Sequence, residues 1–171
     1  MIQTITKRFG LKITNNIFST KIHRNDWAKL VSYSTFLGSV KPKYFIKTSK
    51  YTLLISLAKS DEELLMATKS KTRNQIRKAM KDNVACMETF DIDDFVSFYN
   101  DFAREKMLDV ITYDTCIKYG KSLVLTKAVK DGTTLCYHAT LKDDELQRGL
   151  LLYSASSRFT ENIDRTLIGN A

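Results

Sequence analysis

The sequence predicts an α+β domain, because helix-type and strand-type patterns follow each other without regular alternation. Two stretches carry this prediction: capped amphipathic segments between Ser60 and Asn83, and a strand-rich stretch with hairpin turns over residues 122–157. At 171 residues and 43% hydrophobic, the chain is long enough for one domain with a real core. We therefore expect a single domain over residues 1–171, in which residues 1–43 form an N-terminal segment of mixed pattern.

The N-terminal third combines strand-type and helix-type signals. Residues 12–22 predict a short strand, and residues 24–37 predict a helix capped at Asn25 or Asp26. The inward positions of that helix would be Trp27, Leu30 and Val31. Residues 44–57 are rich in bulky and branched side chains, and they predict a strand interrupted by a turn.

The stretch from Ser60 to Asn83 predicts two short helices, or one helix with a break. Ser60 followed by Glu63 is a capping-box pattern, which typically starts a helix. A second cap at Ser70 or Thr72 would divide the stretch. The second helix is expected to turn three apolar residues inward: Ile76, Ala79 and Met80.

The second of these helices carries a cluster of positive charge. Its six cations meet no acid until Asp82, and they are Lys69, Lys71, Arg73, Arg77, Lys78 and Lys81. Arg73 and Arg77 are four residues apart and therefore neighbours on one helical face. Two adjacent guanidinium groups suit a phosphate or a carboxylate. A solvated basic face without a ligand is the alternative that this pattern leaves open.

The net charge of +8 favours an anionic partner, such as nucleic acid, a phosphorylated donor or an anionic lipid. Up to Ala58 the only acid is Asp26. The same stretch contains ten cations: Lys7, Arg8, Lys12, Lys21, Arg24, Lys29, Lys41, Lys43, Lys47 and Lys50. No apolar run is long enough for a membrane helix, and the N-terminus lacks the apolar stretch of a signal peptide, so we expect a cytoplasmic protein.

The second half of the chain predicts a strand, two helices and three antiparallel strands. Residues 84–90 form the strand, and Asp91 caps a helix whose aromatic residues recur at core spacing: Phe95, Phe98, Tyr99 and Phe102. A shorter helical piece follows near residues 113–119, where Asp109 and Asp114 are expected to act as caps. Turns at Asp131-Gly132 and at Lys142–Glu145 then separate three strands.

Metal binding and dedicated acid–base chemistry find little support in the sequence. Cys86, Cys116 and Cys136 are odd in number and widely spaced, which favours free thiols, and His23 lies far from His138. We expect no metal site. His138 lies on a predicted strand, where a core or surface role is favoured over that of a general base.

The sequence motifs of residues 51–171, and the order in which they occur, resemble those of the Fem-type aminoacyl and acyl transferases, which have the GNAT (acyl-CoA N-acyltransferase) fold. The resemblance rests on L-x-K-S-x-E-E-L at residues 57–64 and on T-R-x-x-I-R-K-A at residues 72–79. The DIDDFVSFYNDFAREKM helix and the KDGTTLCYHATL hairpin follow where that family has them. It implies a mixed or antiparallel sheet flanked by helices, with the sheet incomplete at the C-terminus.

The resemblance also implies an activity and a set of contacts. Such enzymes move an acyl or aminoacyl group to an amine or hydroxyl of a cell-envelope or polysaccharide acceptor. The donor would be acetyl-CoA, another acyl thioester or an aminoacyl-tRNA, without a tightly bound cofactor. Lys71, Arg73 and Arg77 would contact its phosphates, and Tyr153 would line the acyl cleft, unless it is simply packed in the core.

The last residues resemble the phosphate-binding loop of the GNAT fold, Q/R-x-x-G-x-G/A, with one residue too many between Arg165 and Gly169. That loop would place Arg165, Gly169 and Asn170 near the donor phosphates, although an ordinary turn is an equally good interpretation. The resemblance further predicts that the chain is the N-terminal part of a larger transferase, or a truncated reading frame, and is inactive alone. The alternative function is a non-catalytic, basic nucleic-acid-binding module.

Overall fold

The computed structural model of the protein describes residues 1–22, 30–34, 45–49 and 52–157. Helices and mixed or antiparallel sheets make up this part of the chain, which confirms the α+β class predicted from the sequence. The elements in chain order are β1 (Ile2–Arg8), β2 (Leu11–Ile17), β3 (Leu30–Ser34), α1 (Asp61–Ala67), α2 (Ser70–Lys81), β4 (Ala85–Thr89), α3 (Ile92–Glu105), α4 (Tyr113–Ile117), β5 (Leu123–Lys130), β6 (Thr133–Asp143) and β7 (Arg148–Ser156).

The larger sheet is an antiparallel meander in the order β4-β5-β6-β7. The predicted Asp131-Gly132 turn joins β5 to β6, and both turn residues have positive φ, as a two-residue hairpin loop requires. The second turn differs from the prediction, because β6 continues to Asp143 and residues 144–147 form the turn. Two register shifts bend the meander, one at Ala128/Val129 and one at Ala139/Thr140.

Helix α3 covers one face of the larger sheet. Asp91 caps it as predicted, since the Asp91 carboxylate accepts a hydrogen bond from the amide of Asp94. Phe95 is fully buried, and its ring lies 5.5 Å from that of Tyr137 on β6. The core also holds Tyr99, Ala103, Ile111, Cys116, Leu125, Ala139 and Ala155, with Phe98 and Phe102 partly buried against it. The predicted aromatic stripe is therefore core.

The smaller sheet has the order β1-β2-β3, with β1 antiparallel and β3 parallel to β2. Its buried residues Ile2, Ile17 and Phe18 pack against Leu141 of β6 in a second apolar cluster. Strand β2 falls within the strand predicted for residues 12–22, whereas β1 was not predicted. The N-terminal segment thus contributes a sheet of its own to the fold.

Two predictions for the N-terminal third are wrong in the described residues. The helix predicted over residues 24–37 is contradicted at Leu30–Ser34, which is strand β3, while Trp27 and both proposed caps lie outside the described residues. The strand predicted over residues 44–57 is absent from 45–49 and 52–57, which have no regular secondary structure. A strand needs a neighbour to satisfy its backbone, and no described strand pairs with these residues.

Helices α1 and α2 confirm the prediction of two short helices. The Ser60–Glu63 capping box is formed in both directions at the start of α1. The predicted caps of α2 are wrong, because Lys69 is the N-cap residue and its side chain makes no capping hydrogen bond. Met80 is exposed rather than inward. Helix α4 is capped by Thr112 instead of Asp109 or Asp114. Among the described helices, none has the length and apolarity that crossing a membrane would require.

Candidate anion-binding site

Helix α2 presents its charged side chains on an exposed face. Ile76 and Ala79 are partly covered, whereas Lys71, Arg77 and Lys78 are exposed. Lys71 and Lys78 are seven residues apart, so they lie two turns apart on the same side of the helix. No described residue of α1 or α2 belongs to either apolar core cluster, and the face is therefore open to a ligand.

An open depression of about 420 Å³ lies along this face. Polar side chains line it: Ser70, Lys71, Asn74, Gln75 and Lys78. The helix begins at Ser70 without a side-chain cap and without an acid in its first turn. Its first amide N–H groups therefore add positive potential to that of the lysines, which is the arrangement that anions favour.

The cations of this face are not neutralised by acids among the described residues. Among the ion pairs formed by the described residues, none involves Lys71, Arg77 or Lys78. Their charges add to one positive potential along α2, which a bound anion would lower. We define Lys71, Arg77 and Lys78 as the α2 basic face.

The Arg73 side chain contacts the end of α1. Its guanidinium Nη1 donates hydrogen bonds to the backbone oxygens of Met66, at 2.9 Å, and of Thr68. These carbonyls lie at the end of α1, where no intrahelical donor is available to them. Arg73 thus caps α1 and fixes the α1–α2 junction, while it remains four residues from Arg77 on the same helix.

Tyr153, the predicted cleft residue, is packed under α3. Its ring lies 5.1 Å from that of Tyr99 and 6.4 Å from that of Phe95. Burial raises the pKa of Tyr153 to about 12, which keeps the phenol protonated at neutral pH. Its place in the core cluster is that of a packing residue, and it is separate from the α2 basic face.

A polar cluster that the sequence analysis missed joins α3 to the larger sheet. Asp94 Oδ2 accepts a hydrogen bond from the Tyr137 hydroxyl at 2.6 Å and from Lys127 Nζ at 3.0 Å. The hydrogen bond from Tyr137 holds the pKa of Asp94 below its usual range, with Lys127 adding to the effect. Burial, together with Asp94, raises the pKa of Tyr137 to about 12. All three groups keep their ordinary protonation states at neutral pH, so the cluster anchors α3.

His138 lies on the opposite face of the larger sheet from Tyr137, because neighbouring strand residues point to opposite faces. Its Nδ1 atom is buried and has no hydrogen-bond partner among the residues that the structure describes. Cys116 and Cys136 are buried free thiols, and Cys86 is an exposed one. Within the described part of the chain, no group of three candidate ligands could hold a metal ion.

The predicted donor-loop residues Arg165, Gly169 and Asn170, and the histidine His23, lie outside the described residues. Comparison of the sequence with models of known protein families and with curated proteins finds no match. The α2 basic face is therefore the site on which a functional proposal rests.

Proposed function

We propose that this protein takes part in acyl or aminoacyl transfer, and that the α2 basic face binds the phosphate-bearing carrier of the transferred group. The observation that carries the proposal is an open depression at an uncapped helix start, lined by the exposed Lys71 and Lys78. Arg77 is exposed on the same helix, and none of the three cations forms an ion pair with another described residue. Charge-assisted hydrogen bonds from such cations are the contacts that phosphates select.

The resemblance to Fem-type transferases supports transfer chemistry over simple anion binding. The sequence patterns that carry it lie at the α1 start and along α2, and the capped α3 helix and the β5–β6 hairpin follow in the expected order. A donor such as acetyl-CoA, another acyl thioester or aminoacyl-tRNA carries phosphates that the α2 basic face can meet. The donor is a substrate here, and the acceptor is an amine or hydroxyl of a cell-envelope or polysaccharide component.

A second candidate, a non-catalytic nucleic-acid-binding module, is favoured by the length of the charged helix. Cations run from Lys69 to Lys81 along α2, whose 12 residues span roughly 18 Å. That length exceeds a single phosphate group and matches several successive phosphates of a nucleic-acid strand. Binding without turnover would distinguish this candidate from the transferase.

The test measures binding and transfer separately. Binding of coenzyme A and of tRNA is titrated by fluorescence anisotropy with the wild-type chain and with the triple variant Lys71→Gln, Arg77→Gln, Lys78→Gln. A control variant of equal charge, Lys47→Gln, Lys59→Gln, Lys121→Gln, changes exposed lysines outside the site. Transfer of labelled acetyl or aminoacyl groups to amine and hydroxyl acceptors is assayed with the same proteins.

The proposal expects the triple variant to bind at least roughly tenfold more weakly than the control, because each lost charged hydrogen bond contributes about 1.5–3 kcal/mol. Turnover that falls with binding supports the transferase. Strong tRNA binding without turnover on any donor would favour the nucleic-acid module instead. Equal binding by the triple variant and the control would overturn the site assignment.

A further inference from the structure

The β1–β2 hairpin ends in a two-residue turn formed by Phe9 and Gly10. Arg8 pairs with Leu11 across the turn, and the φ angles of Phe9 and Gly10 are 50° and 77°. Positive φ at both positions favours Asn or Asp followed by Gly. A bulky residue such as Phe is disfavoured there, because its Cβ crowds the backbone in the left-handed region.

The β5–β6 hairpin has the same turn geometry and carries the residue types that this geometry favours. Asp131 and Gly132 join β5 to β6 with φ angles of 49° and 77°. The flanking residues Lys130 and Thr133 pair across that turn, as Arg8 and Leu11 do across the first. Two turns of matching backbone thus carry Asp in one case and Phe in the other. Turn formation alone does not account for Phe9.

The side chains at the tip of the β1–β2 hairpin are apolar and open to solvent. Phe9 is 91% exposed and Leu11 is 57% exposed. The Arg8 guanidinium lies over the Phe9 ring, 5.6 Å from its centroid, which leaves the outer face of the ring free. An aromatic and an aliphatic side chain presented together at a tip form a small apolar surface that water does not favour.

Cations surround this apolar tip. Lys7 and Lys12 pair directly across the two strands, and Arg8 lies between Lys7 and the turn. Like charges placed opposite each other destabilise a hairpin. Within the described part of the chain, none of the ion pairs involves any of these three cations. We define residues 7–12 as the hairpin tip.

We infer that the hairpin tip docks on the surface of an anionic phospholipid bilayer. Phe9 and Leu11 enter the boundary between headgroups and acyl chains, and Lys7, Arg8 and Lys12 meet the lipid phosphates behind them. Apolar residues in front of a cationic collar match the layered chemistry of that interface. A nucleic acid could stack a base on Phe9, but it offers no comparable apolar environment for Leu11. This surface is separate from the α2 basic face and independent of the proposed transfer reaction.

The experiment measures co-sedimentation of the full chain with phosphatidylcholine vesicles and with vesicles that also contain about 30% phosphatidylserine, which supplies the negative surface potential. The decisive variant is Phe9→Asn, which removes the ring and installs the residue that the turn prefers. The exposed residue Phe90 supplies the matched control variant Phe90→Asn. The charge variant Lys7→Gln, Lys12→Gln is matched by Lys47→Gln, Lys59→Gln.

We expect binding to the anionic vesicles only, weakened about tenfold or more by Phe9→Asn. The affinity of the Lys7/Lys12 variant for anionic vesicles should fall roughly 25-fold, because each charge near the membrane surface contributes about fivefold. Phe9→Asn should raise the thermal midpoint, because Asn suits positive φ better than Phe does, and a midpoint at or above that of the wild type excludes a folding defect as the cause of lost binding. Equal binding to neutral vesicles, or unchanged binding by Phe9→Asn, would overturn the inference. The inference would also be overturned if the wild-type chain bound single-stranded RNA but not vesicles, and if Phe9→Asn lost that RNA binding.

Discussion

The hydroxyl of Tyr137 donates a hydrogen bond of 2.6 Å to the Asp94 carboxylate, and so ties the first turn of α3 to the middle of β6. Tyr137 is fully buried, whereas the Asp94 side chain is 43% exposed. The bond therefore connects the core to the surface. It also joins residues 43 positions apart in the sequence, which places it among the contacts that define the tertiary fold.

Removing this bond should weaken the fold. In Tyr137→Phe the ring packing against Phe95 remains, and only the hydroxyl is lost. We expect the free energy of unfolding to fall by about 1 kcal/mol, a value reduced from that of a fully buried charged bond because water screens Asp94. Urea denaturation followed by circular dichroism measures the change. Tyr113→Phe, at an exposed position, is the control and should leave the midpoint where it is.

The same bond predicts a pH dependence of stability. Because the folded-state pKa of Asp94 lies below 3.8, its contribution is fully present above that value and is lost as pH falls through the folded pKa. The wild-type chain should therefore lose stability more steeply than Tyr137→Phe as the solution is acidified below pH 3.8. Parallel acid titrations of the two unfolding midpoints test this. Identical slopes would show that Tyr137 does not control the ionisation of Asp94.

Phe95 should contribute far more to stability than any exposed aromatic residue. It is fully buried among Tyr99, Tyr137 and Tyr153, so Phe95→Ala leaves a cavity. We expect a loss of about 3–5 kcal/mol in the free energy of unfolding. Phe90→Ala, directly before the Asp91 cap of α3 and 87% exposed, should change it by less than about 0.5 kcal/mol. Similar losses in both variants would show that α3 is not packed on the sheet as described.

Local signals account for what the sequence predicted well. The cap at Asp91 and the aromatic spacing of α3 depend on residues within one or two turns, and the structure confirms both. The Asp131-Gly132 turn is equally local. Residues 52–57 have strand composition, but a strand forms only where another strand offers its backbone groups, and that partner is a non-local property. Strand β1 was missed because its apolar residues Ile2 and Ile5 are three apart and lie on opposite faces, so IQTITKR shows no period-two alternation of apolar and polar residues.

The candidate site was predictable in part for the same reason. The positive charge of α2 follows from composition and helical spacing, and its exposure agrees with the absence of apolar residues on that side. The hydrogen bond from Arg73 to Met66 could not be predicted, because it reaches back seven residues across a break between two helices. Helical spacing assigns neighbours only within a continuous helix. The Asp94–Tyr137 contact likewise depends on how α3 lies on the sheet.

The three cysteines should differ in reactivity. Burial raises the pKa of the Cys116 and Cys136 thiols, whereas Cys86 is exposed on the edge strand β4. Because the thiolate is the reactive form, iodoacetamide should label Cys86 in the native chain and the other two only after denaturation. Mass spectrometry of the labelled peptides identifies the sites. Rapid labelling of Cys136 in the native chain would show that the face of the larger sheet on which Cys136 lies is open to solvent.

Arg73 and Arg77 should respond to substitution in opposite ways, although they lie one turn apart on α2. Arg73→Ala removes the hydrogen bonds to the carbonyls of Met66 and Thr68, so α1 should lose about 1 kcal/mol of local stability. Amide hydrogen exchange of residues 61–67 should accelerate. Ligand binding should change only to the extent that the α1–α2 junction shifts. Arg77→Ala should leave that exchange unchanged and weaken anion binding, since its side chain is exposed. If Arg73→Ala instead left α1 protected and abolished binding, the two arginines would act as the adjacent pair that the sequence suggested.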